Sequence, residues 1–252
     1  GEITEILEQR ERSFVGEIVR ASSYYFLDAD NKDMPYDIFI HPTKLKGAKD
    51  GEKVIARITE WPKGTKNPFG EVIEVLGKVG AHETEMHAIL AEFELPNHFP
   101  ETITQEAEKI SGDISREEIK RRRDFRKVKT ITIDPADAKD FDDALSIKAM
   151  KDGIWEIGIH IADVGHYVRT GTKLDEEAYM RGTSVYLVDR VVPMLPERLS
   201  NELCSLKPNE DKLCFSAVFH MNEKAEVLDQ WFGKTIIHSD RRFDYAQVQE
   251  II

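Results

Sequence analysis

The sequence is poor in cysteine and has no long apolar run, and each shortage excludes a class of protein. Its two cysteines, Cys204 and Cys214, could form one disulfide, but without a secretion signal two reduced thiols are expected. No apolar stretch approaches the roughly 18 residues that a membrane-spanning helix needs. The first twelve residues lack the basic and then apolar order of a secretion signal. A cytoplasmic protein without membrane contact is therefore expected.

Positive charge is also in deficit, because 35 Lys and Arg stand against 47 Asp and Glu, giving a net charge of -12. Contacts to nucleic-acid phosphates come from Lys and Arg, so this balance argues mildly against a nucleic-acid partner. The deficit is uneven, since residues 115–130 form a strongly basic segment, SREEIKRRRDFRKVKT. A solvated helix and linker or a phosphate-binding stretch would both account for it, and charge alone does not decide between them.

The order of patterns along the 252 residues predicts two domains. Residues 13–80 contain five short runs rich in β-branched and aromatic residues, which predicts a small closed barrel of the oligonucleotide-binding type. Residues 81–128 have helical apolar spacing and predict a helical connector with a basic end, with candidate N-caps at Thr102, Thr104 and Ser115.

From residue 129 onward the pattern is strand-like again, as in WEIGIHIADV, where apolar residues alternate with small or polar ones. His160 and Asp163 in this stretch have metal-ligand chemistry, but packing and hydrogen bonding within the fold are the expected roles. A helix ended by Gly182 and several strands follow, and another helix begins near residue 245. The chain as a whole is thus expected to be a mixed α+β protein.

Five aspartates crowd into the stretch TIDPADAKDFDDALS, which begins at Thr132. Two unit charges 4 Å apart repel by about 4 kcal/mol at an effective dielectric of about 20, so the cluster needs a cation or solvent screening. The aspartates could serve as turn formers and caps around Pro135. They could equally form a magnesium site, since Mg²⁺ binds carboxylates, water and substrate phosphates. A calcium-binding structural protein is disfavoured because Lys139 occupies the position, sixth from Asp134, where an EF-hand loop has glycine.

The aspartate stretch also carries a family resemblance. Together with IADVGHYV, LDEEAYMRGTSVYLVDRVVPMLPERLSNELCSL and DKLCFSAVF, in that order, it resembles the ribonuclease II/R family of processive 3′→5′ exoribonucleases. Upstream, PYDIFIHPTKLKGAKDGEKVIARITEWP followed by FGEVIEVLG resembles the second cold-shock domain of that family. The resemblance implies that residues 129–252 form the N-terminal part of an α/β RNB catalytic domain, and that residues 1–12 lead from a preceding domain. The domain is expected to continue further, with a catalytic arginine and a base-clamping phenylalanine.

The resemblance implies roles for single residues of the aspartate stretch. The family's four catalytic-centre acids match Asp134, Asp140, Asp142 and Asp143, which would hold Mg²⁺, with Mn²⁺ as a substitute. Asp142 matches the acid most closely tied to the cleavage step. Asp137 falls at a variable position and is not expected to be a ligand.

Four further residues are implied RNA contacts. Tyr186 matches a tyrosine that stacks near the 3′-terminal nucleotide, with a tyrosine packed in the core as the alternative. Tyr245 matches a second RNA-contacting tyrosine. Phe39 and His41 resemble the nucleic-acid face of cold-shock domains, where aromatic rings stack on bases; in this second cold-shock position the face could also be partly covered.

The implied function is magnesium-dependent hydrolysis of RNA from a single-stranded 3′ end to nucleoside 5′-monophosphates. The protein would be a monomer without an organic cofactor, and a fragment that ends within the catalytic domain would have little activity alone. The alternative is a non-catalytic RNA-binding module that keeps the fold. Such a module is expected to lose motif acids, and all four are present in this sequence, which favours the enzyme.

Overall fold

The computed structural model describes five stretches of the chain: residues 4–5, 13–22, 24–32, 34–96 and 98–252. They belong to two compact units, Gly1–Asn97 and His98–Ile252. The expected lead-in from a preceding domain, at residues 1–12, lies almost wholly outside the described residues, and the domain boundaries drawn from the sequence stay a prediction. Within the described stretches, every helix is too short or too polar to cross a bilayer.

The first unit is a closed barrel, which confirms the predicted oligonucleotide-binding architecture. Its strands are β1 (Ser13–Ala21), β2 (Tyr24–Ala29), β3 (Ile38–Ile40), β4 (Glu52–Glu60) and β5 (Phe69–Lys78). They neighbour one another in the order β1-β2-β3-β5-β4, and β4 returns to pair with β1. All pairs are antiparallel except β3 with β5.

Branched apolar side chains fill the barrel interior. The fully buried ones are Ile18, Leu27, Ile38, Ile40, Val54 and Val72. Gly16 permits the close approach of β2, because a Cβ there would lie 2.2 Å from the carbonyl oxygen of Asp28. Helix α1 (His82–Glu92) packs on β1, β4 and β5, and the buried Lys53 donates at 2.9 Å to Glu85 of this helix.

The second unit is built on a seven-stranded sheet. Its sheet strands are β6 (Arg123–Asp124), β7 (Lys129–Asp134), β8 (Asp143–Ala149), β9 (Trp155–Ala162), β12 (Asp211–Met221), β13 (Val227–His238) and β14 (Arg241–Asp244). They are ordered β14-β7-β8-β9-β12-β13-β6, antiparallel in the middle and parallel at both edges. The short strands β10 (Val185–Tyr186) and β11 (Val191–Val192) form a separate hairpin.

Helices cover one face of this sheet. They are α2 (Glu101–Glu108), α4 (Val164–Tyr167), α5 (Lys173–Arg181) and a π-helical segment, Arg198–Leu203. Helix α3 (Arg116–Lys120) lies next to β6, and α6 (Tyr245–Ile251) follows β14 at the other edge of the sheet. Ile103, Leu174 and Leu199 from these helices pack with Phe125 and Cys214 in one apolar core. Both cysteines are buried and free, as expected.

The opposite face of the sheet is apolar and exposed. Its large side chains are Leu145, Ile147, Trp155, Ile159, Ile161, Phe215 and Phe232. The alternation predicted for β9 is therefore confirmed. The small and polar residues of β9, however, are the ones that point to the helix-covered face, where Glu156 and His160 are buried.

A chain of polar side chains crosses the covered face beneath the helices. His160 is fully buried, with Nε2 2.8 Å from Oγ of Ser146 and Nδ1 2.6 Å from Oγ of Ser216, which in turn contacts Thr235. Gly158 leaves room for the imidazole, since a Cβ there would meet Nε2 of His160 at 2.6 Å. The expected packing and hydrogen-bonding role of His160 is confirmed.

Three arginines of the basic segment help to hold this fold together. Arg122 has a fully buried side chain and donates to the carboxylate of Asp163 at 2.6 Å. Arg123 pairs with the buried Glu156, and Arg126 pairs with two aspartates. Removing one partner of a buried pair leaves an uncompensated charge, so the buried Arg122–Asp163 contact is structural. The predicted solvated helix is present as the largely exposed α3, but Arg122 is buried and the guanidinium groups of Arg123 and Arg126 are engaged in ion pairs.

Two of the three predicted helix caps are wrong. Ser115 caps α3 as predicted, because its hydroxyl accepts from the N–H of Glu118 at 3.1 Å. Thr102 and Thr104 instead lie inside α2, which starts after Pro100 without a side-chain cap. The fixed φ of proline favours a helix start at the next residue, ahead of either threonine. The predicted end of α5 at Gly182 is confirmed by its φ of 73°.

We expect His160 to make stability fall at acidic pH. Burial lowers its pKa to about 4, whereas an unfolded histidine titrates near 6.5. Between these values the unfolded chain binds more protons, so stability is lost as pH falls through about 6.5. Between pH 7 and 4.5 the wild type should lose on the order of 2–3 kcal/mol more than His160→Gln.

Urea unfolding followed by tryptophan fluorescence at both pH values measures this difference. His98→Gln, at an exposed position, is the matched control and should keep the wild-type pH dependence. Parallel pH profiles for the wild type and His160→Gln would contradict the prediction.

Candidate active site

The loop of residues 135–142 joins the end of β7 to the start of β8. Asp134 is the last residue of β7 and Asp143 the first of β8, while Asp140 and Asp142 lie on the loop between them. Because β7 and β8 are antiparallel neighbours, the two strand ends lie side by side. The structure therefore brings the four sequence-predicted acids together, and their catalytic and metal-binding roles stay predictions.

Asp134 is the most enclosed of the four acids, with 8 % of its surface exposed. Burial raises the pKa of its carboxyl group, and the charges of Asp143 and Asp140 raise it further. The hydroxyl of Thr132 and the guanidinium of Arg242 lower this pKa, but neither forms a hydrogen bond with Oδ2. Among the described residues, Oδ2 of Asp134 is a buried carboxylate oxygen without a hydrogen-bond partner.

Asp142 reaches solvent but stands among like charges. Partial burial is the largest cause that raises its pKa, followed by the charges of Asp140, Asp143 and Asp134. Every charged neighbour that shifts its pKa is another carboxylate. The surroundings of Asp142 therefore favour proton uptake or a bound cation.

Backbone hydrogen bonds hold the far end of the loop in place. Ser205 accepts from the N–H of Phe141 at 3.1 Å and donates to the carbonyl of Lys139 at 2.8 Å. The N–H of Leu206 donates to the carbonyl of Phe141, whose side chain is buried in the core. Ser205 was not identified from the sequence, because it follows the loop by more than 60 residues and no local spacing marks it.

Tyr186 stands at the edge of the aspartate cluster. Its hydroxyl donates to Oδ2 of Asp140, and this hydrogen bond, followed by partial burial, raises the pKa of the tyrosine to about 12. The ring is 62 % exposed, so the alternative of a tyrosine packed in the core is wrong. A cleft of about 530 Å³ lies beside this contact, lined by the loop, by the β10–β11 hairpin and by Asn201 of the π-helical segment.

Tyr245 lies close along the backbone to the aspartate strand. It is the first residue of α6 and directly follows Asp244, which caps that helix. Asp244 is paired in register with Asp134 across the parallel strands β14 and β7. The side chain of Tyr245 is 61 % exposed. A contact with RNA stays a prediction.

Phe39 occupies the centre of an aromatic cluster on the outside of the barrel. Its ring centroid lies 5.4 Å from Tyr24, 5.7 Å from Phe26 and 5.0 Å from Phe69. The rings of Tyr24 and Phe69 are exposed. From the sequence only Phe39 was identified, because its neighbours come from β2 and β5 and meet it only through strand pairing.

His41 is exposed and performs a local structural task. Its Nδ1 accepts from the N–H of Thr43 at 3.3 Å and lies 2.8 Å from the hydroxyl of the same residue. It thereby caps the short 3₁₀ turn Pro42–Lys44. RNA binding by Phe39 and His41 stays a prediction.

Two family models match the chain. The RNB domain matches residues 122–252, and a cold shock domain matches residues 26–100. The first covers more than half of the sequence, and together they include the aspartate loop and most of the barrel.

Curated relatives match over the whole chain. Ribonuclease R of Thermotoga maritima is 37 % identical over 254 residues, covering 100 % of this chain and 36 % of the relative. Exosome complex exonuclease RRP44 of Mus musculus is 34 % identical over 255 residues, covering 99 % of this chain and 26 % of the relative. The chain thus spans about a third or less of the length of these relatives.

A solved structure agrees with both units. Mycoplasma genitalium RNase R in complex with double-stranded RNA matches with a TM-score of 0.88 and 27 % identity. The match covers 99 % of this chain and 44 % of the solved one. The resemblance to the ribonuclease II/R family is confirmed.

Replacing one crowded acid should stabilise the metal-free protein. Because the pKa of Asp142 is raised in the folded state, folding favours its protonated form, and stability falls as pH rises through that pKa. At pH 7 in EDTA, Asp142→Asn should therefore raise the melting temperature by about 1–3 °C. Asp137→Asn, on the same loop but outside the predicted ligands, should raise it less. Scanning calorimetry measures both, and a lower melting temperature for Asp142→Asn would contradict the assigned repulsion.

Proposed function

Because the chain belongs to the RNB-domain family, we propose that it forms part of an exoribonuclease that hydrolyses RNA from the 3′ end and releases nucleoside 5′-monophosphates. The observation that carries this proposal is the aspartate cluster. Four carboxylates are gathered at one loop, and one buried carboxylate oxygen has no partner among the described residues. Groups with such perturbed pKa values beside a cleft are candidates for a catalytic site.

The carboxylates fit a hard divalent cation. Oδ2 of Asp134 is buried and has no hydrogen-bond partner among the described residues, so a cation would supply the direct contact that this oxygen lacks. We assign Asp134, Asp140, Asp142 and Asp143 as the residues that would hold Mg²⁺ or Mn²⁺, since oxygen ligands suit both ions. When bound, such a cation would lower the pKa of a water molecule and neutralise charge on the scissile phosphate.

Tyr186 is suited to position the terminal nucleotide. Its hydroxyl is fixed to Asp140 while its ring stays exposed at the cleft. A base stacked on such a ring contributes about 1–3 kcal/mol of binding. The contact would place the 3′ end beside the aspartates, and positioning of this kind lowers the barrier to hydrolysis.

RNA binding would draw on exposed aromatic rings, because part of the basic segment is already engaged within the fold. Arg122, Arg123 and Arg126 are engaged in ion pairs. The exposed rings of the Phe39 cluster and of Tyr245 offer stacking surfaces instead, with His41 beside the first. We further propose a cytoplasmic monomer without an organic cofactor.

A metal titration tests the assignment of the four acids. Calorimetry with Mg²⁺ and with Mn²⁺ should show a weak site and proton release on binding, because raised-pKa carboxylates deprotonate when they bind a metal. Asp134→Asn/Asp143→Asn should weaken binding by more than about tenfold, since even outer-shell changes typically cost 10- to 100-fold. The Asp137→Asn variant is the matched control. Equal affinities for the wild type and the double variant would refute the assignment.

A cleavage assay on the intact protein tests the reaction. Asp142→Asn should leave RNA affinity near that of the wild type and slow single-turnover hydrolysis by on the order of 100- to 1,000-fold, because the loss falls on the transition state. Gel-shift binding and hydrolysis of one 3′-labelled oligoribonucleotide separate the two effects. A wild type that binds this RNA but leaves it intact at saturating Mg²⁺ would identify the non-catalytic alternative.

A further inference from the structure

Arg242 reaches the aspartate loop from the edge strand β14. This strand runs parallel to β7, with Arg242 opposite Thr132 and Asp244 opposite Asp134. Arg242 therefore lies beside β7 two residues before the end of that strand, close to the start of the loop. The residue lies 107 positions along the chain from Pro135, and no local motif links them.

The guanidinium of Arg242 binds the backbone at the start of the loop. One terminal nitrogen, Nη2, donates to the carbonyl of Pro135 at 2.7 Å and to the carbonyl of Ala136 at 2.6 Å. These two residues directly follow Asp134. Hydrogen bonds from a charged donor are about twice as strong as neutral ones, so this contact fixes the direction in which the loop leaves β7.

The same guanidinium also reaches the end of the loop. Its central carbon lies 5.0 Å from the ring centroid of Phe141, which is 6 % exposed. Phe141 immediately precedes Asp142 and Asp143 in the chain. One side chain therefore contacts both ends of the loop that carries or flanks all four acids.

Arg242 donates to the loop backbone and forms no hydrogen bond with Oδ2 of Asp134. Nε of Arg242 and Oδ2 of Asp134 are both buried, and both lack a hydrogen-bond partner within the described residues. A direct ion pair between the two groups would occupy the carboxylate. The observed arrangement instead orders the loop and leaves that oxygen available.

We propose that Arg242 is a positioning residue that holds residues 135–142 in the shape that presents their aspartates to a divalent cation. This inference rests on the proposed function only in assuming that the aspartates bind a cation. The hold on the loop itself is independent of metal and is tested separately.

The test compares Arg242→Gln and Arg242→Lys with the wild type. Arg241→Gln is the matched control, because Arg241 is exposed on the same strand and stacks on Phe243 at 4.4 Å, away from the loop contacts. Hydrogen exchange in EDTA reports on the amides of residues 136–142, and Mn²⁺ affinity is measured by electron paramagnetic resonance. Circular dichroism checks that each variant is folded.

Arg242→Gln should exchange its loop amides faster and bind Mn²⁺ about 10- to 100-fold more weakly. Arg242→Lys should lie between, because an ammonium group donates hydrogen bonds but lacks the planar stacking surface. It also keeps the test open if the glutamine variant unfolds. Arg241→Gln should match the wild type in both measurements.

The proposal would be overturned if both Arg242 variants matched Arg241→Gln in the exchange rate of the loop amides and in Mn²⁺ affinity. Faster loop exchange with unchanged Mn²⁺ affinity would also overturn it, because the loop would then be held without consequence for the site. A wild type that binds no Mn²⁺ would refute the metal assignment, and with it the stated purpose of the hold, while the exchange data would still show whether Arg242 orders the loop.

Discussion

Mutual repulsion among the carboxylates at the β7–β8 junction is the constraint around which the second unit is arranged. Asp134 is enclosed by the fold, and the pKa values of Asp134 and Asp142 are both raised by burial and by their neighbours. Left to itself, a loop that carries such charges would open into water. It stays closed because its backbone is hydrogen-bonded from two sides, by Ser205 and by Arg242. These hydrogen bonds therefore fix the conformation of the loop, while no cationic side chain is hydrogen-bonded to the acids among the described residues.

The same division between structural and functional charge explains the basic segment. Arg122 lies fully buried between Asp163 and the backbone of β12 and β13, and Arg123 covers Glu156. These pairs tie the chain before β7 to the centre of the sheet. They thereby anchor the segment that leads into β7, the strand from which the aspartate loop follows. Part of the positive charge that looked available to a ligand in the sequence thus stabilises the fold instead.

Features set by neighbouring residues could be predicted, and those set by distant contacts could not. The barrel strands, the cap at Ser115 and the stop at Gly182 each follow from short-range patterns, and the structure has them. The caps expected at Thr102 and Thr104 failed because Pro100 starts α2 earlier. The acids were visible as a motif. Their supports, Ser205 and Arg242, were not, because strand pairing and loop contacts across more than 60 residues bring them to the site.

The parallel pairing of β14 with β7 also has a consequence in time. The aspartate loop and the arginine that contacts it are separated by 107 residues. A ribosome adds about 5–20 residues per second, so roughly 5 to 20 s pass between the synthesis of the two. Closing so long a segment costs more chain entropy than local pairing, which makes this contact a late event in folding. The order of synthesis therefore leaves the aspartate loop without its Arg242 contacts on the nascent chain until β14 has emerged.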